Sequence, residues 1–449
     1  VALHFHASDI TYRELWNRIE EATRSLDIAR GDRVAWLGYN SPEMLVLLFA
    51  LARLGAILVP LNWRLTAAEH RAILADCAPK CIFFDEEFRQ HACQLGVPAG
   101  KAKANAAPEI LGTDDDDLLI VYTSGTTGRP KGAVLTQSAL LWNGLNSIHA
   151  HDLSQADHVL TALPMFHVGG LNNQTLPALL AGGTVTLHRR FDPALWLADV
   201  AARRPTVSLL VPATIQAVIA HPAWTATDLS SLKMLNAGSM VVPDSLIRAF
   251  HARGIPVGQI YGCTETAPIA VVLLKEDAMR KAGSAGKPAL HCEVKLVEGE
   301  VWVRGPNVMR GYWNDPAATA AALTPEGWFR TGDLARVDEE GYYWIMGRSK
   351  DVIISGGENI YPAELENVLA DCAAIAEAAV IGIDDPRWGE TACACVVRKD
   401  ELDEQAVLRL FQDRLAKFKH PRRVVFLDSL PKNAMGKVQK FELKRLLGR

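Results

Sequence analysis

The chain lacks an uninterrupted hydrophobic run long enough to cross a membrane. Its most apolar stretch, Met44 to Leu61, is broken by Arg53 and Gly55, so it reads as a buried helix running into a strand. An excess of positive charge is also missing. The net charge of −4 gives a nucleic-acid partner no electrostatic support. Eight cysteines are present without the paired spacings of a small disulfide scaffold. The most suggestive group, Cys77, Cys81, His91 and Cys93, follows no standard zinc-ligand pattern. Reduced, mostly buried cysteines are therefore expected, with Cys393-Ala-Cys395 inside a strand. Repeats, low-complexity tracts and a signal peptide are absent, although Val1 is not a natural start, and a cytoplasmic protein is expected. The 449 residues, 49% apolar and 22% charged, suit a globular enzyme of two or more domains.

Against this background one segment stands out, Tyr122-Thr-Ser-Gly-Thr-Thr-Gly-Arg-Pro-Lys-Gly132. It follows an apolar run, Leu118 to Tyr122, that reads as a buried strand. It gathers the hydroxyls of Thr123, Ser124, Thr126 and Thr127 with Gly125, Gly128, Gly132 and the cation Lys131. Glycines let backbone N–H groups approach an anion, and hydroxyls add donors. This is chemistry for holding a polyphosphate, but Walker A spacing is absent.

The rest of the chain alternates helical and apolar strand patterns over residues 10–90 and again from Val159 to Ile260, as parallel sheets covered by helices do. Thr11 with Glu14 reads as a helix cap, and Ser41-Pro-Glu opens a second helix. From about residue 283 to 348 the texture changes to short strands and glycine turns. The acidic run Asp114–Asp117 reads as a solvated approach to the strand before the phosphate loop.

The glycine- and threonine-rich loop resembles the phosphate loop of the adenylate-forming superfamily of acyl-CoA synthetases, adenylation domains and luciferases. Further segments match in order: Tyr261-Gly-Cys-Thr-Glu-Thr266, Gly327-Trp-Phe-Arg-Thr-Gly-Asp-Leu334, Gly347-Arg-Ser-Lys-Asp351, Gly356-Gly-Glu-Asn-Ile-Tyr-Pro362 and Pro431-Lys-Asn-Ala-Met-Gly-Lys437. The resemblance runs from about Thr11 to about Leu443. It implies an α/β fold: a large N-terminal domain of stacked, mainly parallel sheets with a small β-barrel-like subdomain, and a small mobile α+β C-terminal domain. The expected domains are residues 1–348 (β-rich part about 283–348) and 349–449, hinged at Lys350. Two connections, Val297 to Val301 and Thr23 to Gly31, are shorter than the family usually has.

The implied activity is an AMP-forming carboxylate–CoA ligase that uses ATP, Mg²⁺ and coenzyme A. By this resemblance Glu265 holds Mg²⁺ and Thr264 touches the α-phosphate. Tyr261 stacks on adenine beside the Gly238-Ser239 turn, Asp333 takes the ribose hydroxyls, and Arg348 adds a ribose or phosphate contact. Lys437 spans the carboxylate and the α-phosphate, a role whose loss costs ~3–4 kcal/mol of barrier by analogy with an oxyanion donor. Gly356 and Gly357 leave room for the pantetheine arm. His167, in Pro164-Met-Phe-His-Val-Gly-Gly170, gates an acyl pocket lined by Val168, Gly169, Gly170, Ala237, Ala267 and Pro268.

His167 stands where amino-acid-activating relatives carry an acid, which argues against an amino-acid substrate. No arginine is placed for a second carboxylate. A fatty or aromatic carboxylic acid is left as the substrate. No carrier domain follows Lys437, which favours free CoA over a carrier protein. A silent nucleotide-binding regulator would be expected to have lost Lys437, Glu265 or Asp333. No membrane span or nucleic-acid partner is expected, and the oligomeric state, a homodimer included, is left open.

Overall fold

Short polar caps start the helices that frame the N-terminal part. Thr11 and Glu14 form a reciprocal capping box at the helix Tyr12–Ser25, and Thr66 and Glu69 do the same for Ala67–Cys77. Ser41 caps Pro42–Leu54, with proline at the first turn, and Gly55 ends that helix at φ 67°. The chain turns directly into the buried strand Ile57–Pro60, so the Met44–Leu61 stretch is helix then strand, as expected. The computed structural model describes residues 1–101, 110–123, 130–240, 242–432 and 437–447.

Two sheets organise the large domain. In one of six strands, Arg33–Leu37, Ile57–Pro60, Cys81–Phe84 and Asp117–Thr123 run parallel, and Lys131–Thr136 folds back antiparallel on the last. In the other, of nine strands, the central members His158–Thr161, Thr184–Leu187, Val207–Leu210, Met234–Gly238 and Val257–Tyr261 are parallel. A shared core that includes Leu48, Leu119, Val185 and Met234 fills the space between them. Trp196 and Phe250 anchor the helices on the far side of the nine-stranded sheet.

The β-rich segment takes the form of a four-stranded antiparallel sheet, Glu293–Val297, Glu300–Arg304, Phe329–Val337 and Tyr343–Arg348. Its first hairpin closes through Glu298 and Gly299, both at positive φ (51° and 83°). That is the two-residue turn whose twist matches its strands. From Ile353 onward, strands and helices enclose a core of their own around Leu365, Val380 and Phe411. Across the seam with the large domain, Arg248 Nη2 lies 3.0 Å from Asp371 Oδ1. Such a solvent-accessible pair contributes ~0–1 kcal/mol, a weak restraint on reorientation.

One expectation needs correction. The acidic run is solvated only at Asp114 and Asp115. Asp116 pairs with Arg30 at 2.7 Å and Asp117 with Arg310 at 2.9 Å, which tie the approach to neighbouring elements. Among the described residues no cluster of His, Cys, Asp and Glu can hold a metal. His91 Nε2 pairs with His70 Nδ1 at 2.8 Å, Cys77 and Cys81 are buried free thiols, and Cys93 is exposed.

Candidate active site

The C-terminal ends of the parallel strands and the loops after them open onto one cleft of about 2760 Å³, as ligand sites in open α/β sheets do. Thr123 ends its strand there; Thr264 and Glu265 follow the strand Val257–Tyr261. The small domain supplies Lys437 to the same cleft.

Asp333 is held from both sides. Tyr261 donates its hydroxyl to Asp333 Oδ2 at 2.9 Å, and Arg348 Nε lies 2.9 Å from Oδ1. Asp333 and Arg348 are opposite residues of neighbouring antiparallel strands, so sheet register sets this pair. Burial raises the carboxyl above its usual range, opposed by Arg348, Tyr261 and Lys437. The Tyr261 phenol is pushed well up, by burial and then by Asp333. Each carboxylate oxygen keeps a further lone pair, enough to accept from a vicinal diol.

A second group surrounds Glu265. Tyr312 donates to Glu265 Oε1 at 2.7 Å, and Lys131 Nζ sits 5.1 Å from the Tyr312 ring centre. The strand pair places Thr123 opposite Lys131, with Thr123 Oγ1 donating to the Lys131 carbonyl at 3.4 Å. Thr264 is buried in the short helical turn Thr264–Thr266. Ser124, Gly125, Thr126, Thr127 and Gly128 lie outside the described residues. A single carboxylate near the Lys131 cation suits Mg²⁺, which takes few protein ligands and completes its shell with water and phosphate oxygens.

His167 Nδ1 accepts from the Gly169 N–H at 3.0 Å, so its proton sits on Nε2. Burial, then the positive charge of Lys437, push this imidazole down to about 4, and it is neutral at working pH. Lys437 is itself lowered, first by burial and then by Arg348, against the opposing pull of Asp333 and Asp351. The lysine of one domain thus feels His167, Arg348 and Asp333 of the other. Gly170 is required by space: a Cβ there would lie 2.2 Å from the Pro164 carbonyl oxygen.

Most of the expected wall is present. Val168, Gly169, Gly170, Pro268 and Ser239 line the cleft, with Met240 beside them. Ala237 and Ala267 do not; both are fully buried behind it. Gly238 ends its strand with no room for a side chain, since a Cβ would meet the Ile260 carbonyl oxygen at 2.6 Å. Gly356 and Gly357 form a hairpin turn at φ 60° and 88° outside this cleft, with Gly356 packed against Trp388. Lys350 lies in the turn Ser349–Asp351 between the domains, at the cleft's edge. Two residues of the site were missed in the sequence. Tyr312 had no local signal, because its partner is 47 residues away. Asn173 had one: Asn172-Asn-Gln-Thr175 is a polar run inside an apolar segment, and all four residues are buried.

The fold and cleft define a two-domain nucleotide-binding enzyme. Residues 1–313 match the AMP-binding enzyme family and residues 364–437 match its C-terminal domain. The chain is 48% identical to an indoleacetate–CoA ligase of Aromatoleum aromaticum (100% of this chain, 95% of that protein). It is 42% identical to a feruloyl-CoA synthase of Amycolatopsis sp (100% and 96%). Its fold superposes on the o-succinylbenzoate CoA synthetase MenE of Bacillus subtilis bound to an acyl-adenylate, with TM-score 0.91 and 32% identity (100% and 95%). The same enzyme with ATP and a magnesium ion gives TM-score 0.89. The chain belongs to the AMP-binding enzyme family. It is an AMP-forming acid–thiol ligase that joins a carboxylic acid to coenzyme A. No described helix is long and apolar enough to cross a membrane.

Proposed function

We propose that the enzyme activates an aromatic carboxylic acid, with Lys437, His167, Glu265 and the Asp333–Arg348 pair carrying the first half-reaction. A carboxylate oxygen attacks the α-phosphorus of ATP and pyrophosphate leaves. The approach of an anion to a polyanion needs fixed cations and donors at the phosphorus. Lys437 supplies a cation from the small domain, Lys131 and Thr123 belong to the phosphate end, and Thr264 contacts the α-phosphate. Asp333 holds the ribose hydroxyls while Tyr261, fixed by its bond to Asp333, flanks the base. Glu265 would hold Mg²⁺, which supplies charge neutralisation at the phosphates when bound. Neutral His167 bounds the acyl pocket without adding a charge to repel Lys437.

The observation that carries this reading is the placement of Lys437 against His167, Arg348 and Asp333 of the large domain. The thiol of coenzyme A then attacks the acyl carbon, and AMP departs with the phosphate oxygen. Gly356 and Gly357 lie outside the cleft in the present arrangement, in keeping with a thiolation role that requires the small domain to turn about Lys350. An aromatic acid is favoured by the names of the indoleacetate and feruloyl relatives and by the uncharged wall of His167, Val168 and Pro268.

The test is pyrophosphate release with ATP and Mg²⁺ against a panel of fatty and aromatic acids, with and without coenzyme A. CoA-dependent turnover concentrated on aryl acids is expected. Turnover confined to fatty acids would overturn the substrate class, and release without a CoA thioester would point to a carrier-protein acceptor.

A further inference from the structure

The segment after His167 carries an unusual polar stripe. It runs through the short helix Val168–Gly170 into a π-helical turn, Leu171–Thr175, an irregularity that recurs at functional sites. Asn173 in that turn is only 5% exposed, and it lines the cleft. Behind it lies His151, fully buried and neutral, with its side chain pushed down to about 4 by burial.

The orientation of the Asn173 amide follows from hydrogen-bond logic. His151 Nε2 lies 3.2 Å from the Asn173 backbone carbonyl and 3.2 Å from Asn173 Oδ1. A carbonyl can only accept, so Nε2 carries the proton and donates. The side-chain atom facing it must then also be an oxygen. The Ser147 hydroxyl donates to the same backbone carbonyl and pins the turn. The amide nitrogen Nδ2, with its two hydrogens, is then the side-chain atom turned away from His151, in a residue that lines the cleft. At helical rise it sits about 9 Å along the segment from His167. That is the reach of an aromatic ring on a short linker.

We propose that Asn173 is a specificity-determining residue: its amide donates a hydrogen bond to an acceptor on the distal edge of an aryl carboxylate, selecting ring-oxygenated acids over purely hydrocarbon ones. The inference rests on the aryl-acid reading above. Gly169 leaves the space beside His167 and Ser239 free of a side chain, and a hydrocarbon ring would bury the donor unpaired, the situation that lets a polar site reject an analogue.

The experiment uses matched acids, meta- and para-methoxycinnamate against their ethyl isosteres. Wild-type kcat/KM is expected to favour a methoxy acid by about tenfold at one ring position. The variant Asn173→Leu is expected to bring that ratio to about one. No methoxy preference at either position in the wild type, which needs no folded variant, overturns the proposal. A preference that survives in a folded Asn173→Leu overturns it too. Binding of the same acids as acyl-sulfamoyl adenosine analogues, followed by titration calorimetry, separates the two readings. A methoxy preference in binding without turnover of either aryl acid sinks the aryl-acid substrate reading, while the amide contact itself stands. Turnover without preference sinks only the inference, and failure to bind either analogue sinks both.

Discussion

Tyr261 donates a 2.9 Å hydrogen bond to Asp333, joining the end of a parallel strand in the large sheet to the antiparallel sheet 72 residues later. The bond orients a carboxylate whose other oxygen is held by Arg348. Tyr261→Phe keeps the ring and removes the donor. It is expected to raise the KM for ATP several-fold, with a stability change of about 1 kcal/mol. Steady-state kinetics in ATP and thermal melts check both. An unchanged KM would mean that Asp333 needs no help from Tyr261.

Removing the cation of the small domain tests the catalytic centre. Lys437→Ala should lower the adenylation rate by about 10²–10³-fold, the usual size of one lost transition-state contact. ATP–pyrophosphate exchange is the readout, and a variant adenylating at the full rate would end the proposed role.

Tyr312 and Glu265 form a pair whose two members should act on one variable. Glu265→Gln removes the charge that favours a hard cation and is expected to raise the Mg²⁺ concentration for half-maximal activity. Tyr312→Phe frees the carboxylate from its 2.7 Å bond and should shift the same curve by less. Magnesium titrations of both variants that coincide with the wild type would remove Glu265 from the metal role.

Lys350 divides the two half-reactions. Lys350→Pro restricts φ in the turn between the domains and is expected to leave pyrophosphate exchange partly intact while abolishing thioester formation. Equal loss in both assays would count against a hinge there.

Four histidines, His70, His151, His158 and His167, are each pushed down to about 4, in every case first by burial. In the unfolded chain they titrate near 6.5, so between pH 6.5 and 4 the unfolded state binds more protons and stability falls as pH falls. For fully buried His151 the contribution at neutral pH is on the order of 3 kcal/mol. The melting temperature should drop across that window, and His151→Leu should flatten the drop. A parallel pH profile in a folded variant would show that His151 does not titrate on unfolding.

The sequence alone determined the class of chemistry and much of the fold. Capping boxes at Thr11, the helix-to-strand passage at Gly55 and the apolar strands are local patterns, written within a few residues of one another. The glycine- and threonine-rich loop, Glu265, Asp333 and Lys437 were legible because each lies in a short run of distinctive residue types. Tertiary structure decided which of these meet. The partnership of Tyr312 with Glu265, the hold of Tyr261 on Asp333 and the nearness of Lys437 to His167 join segments separated by tens to hundreds of residues. Ala237 and Ala267 looked like pocket wall and proved to be core, since a small apolar side chain carries no mark of which side of a strand end faces the ligand. The same holds for Asn173. Its residue type was visible from the start, but only the packing of His151 behind it fixes where its amide hydrogens point.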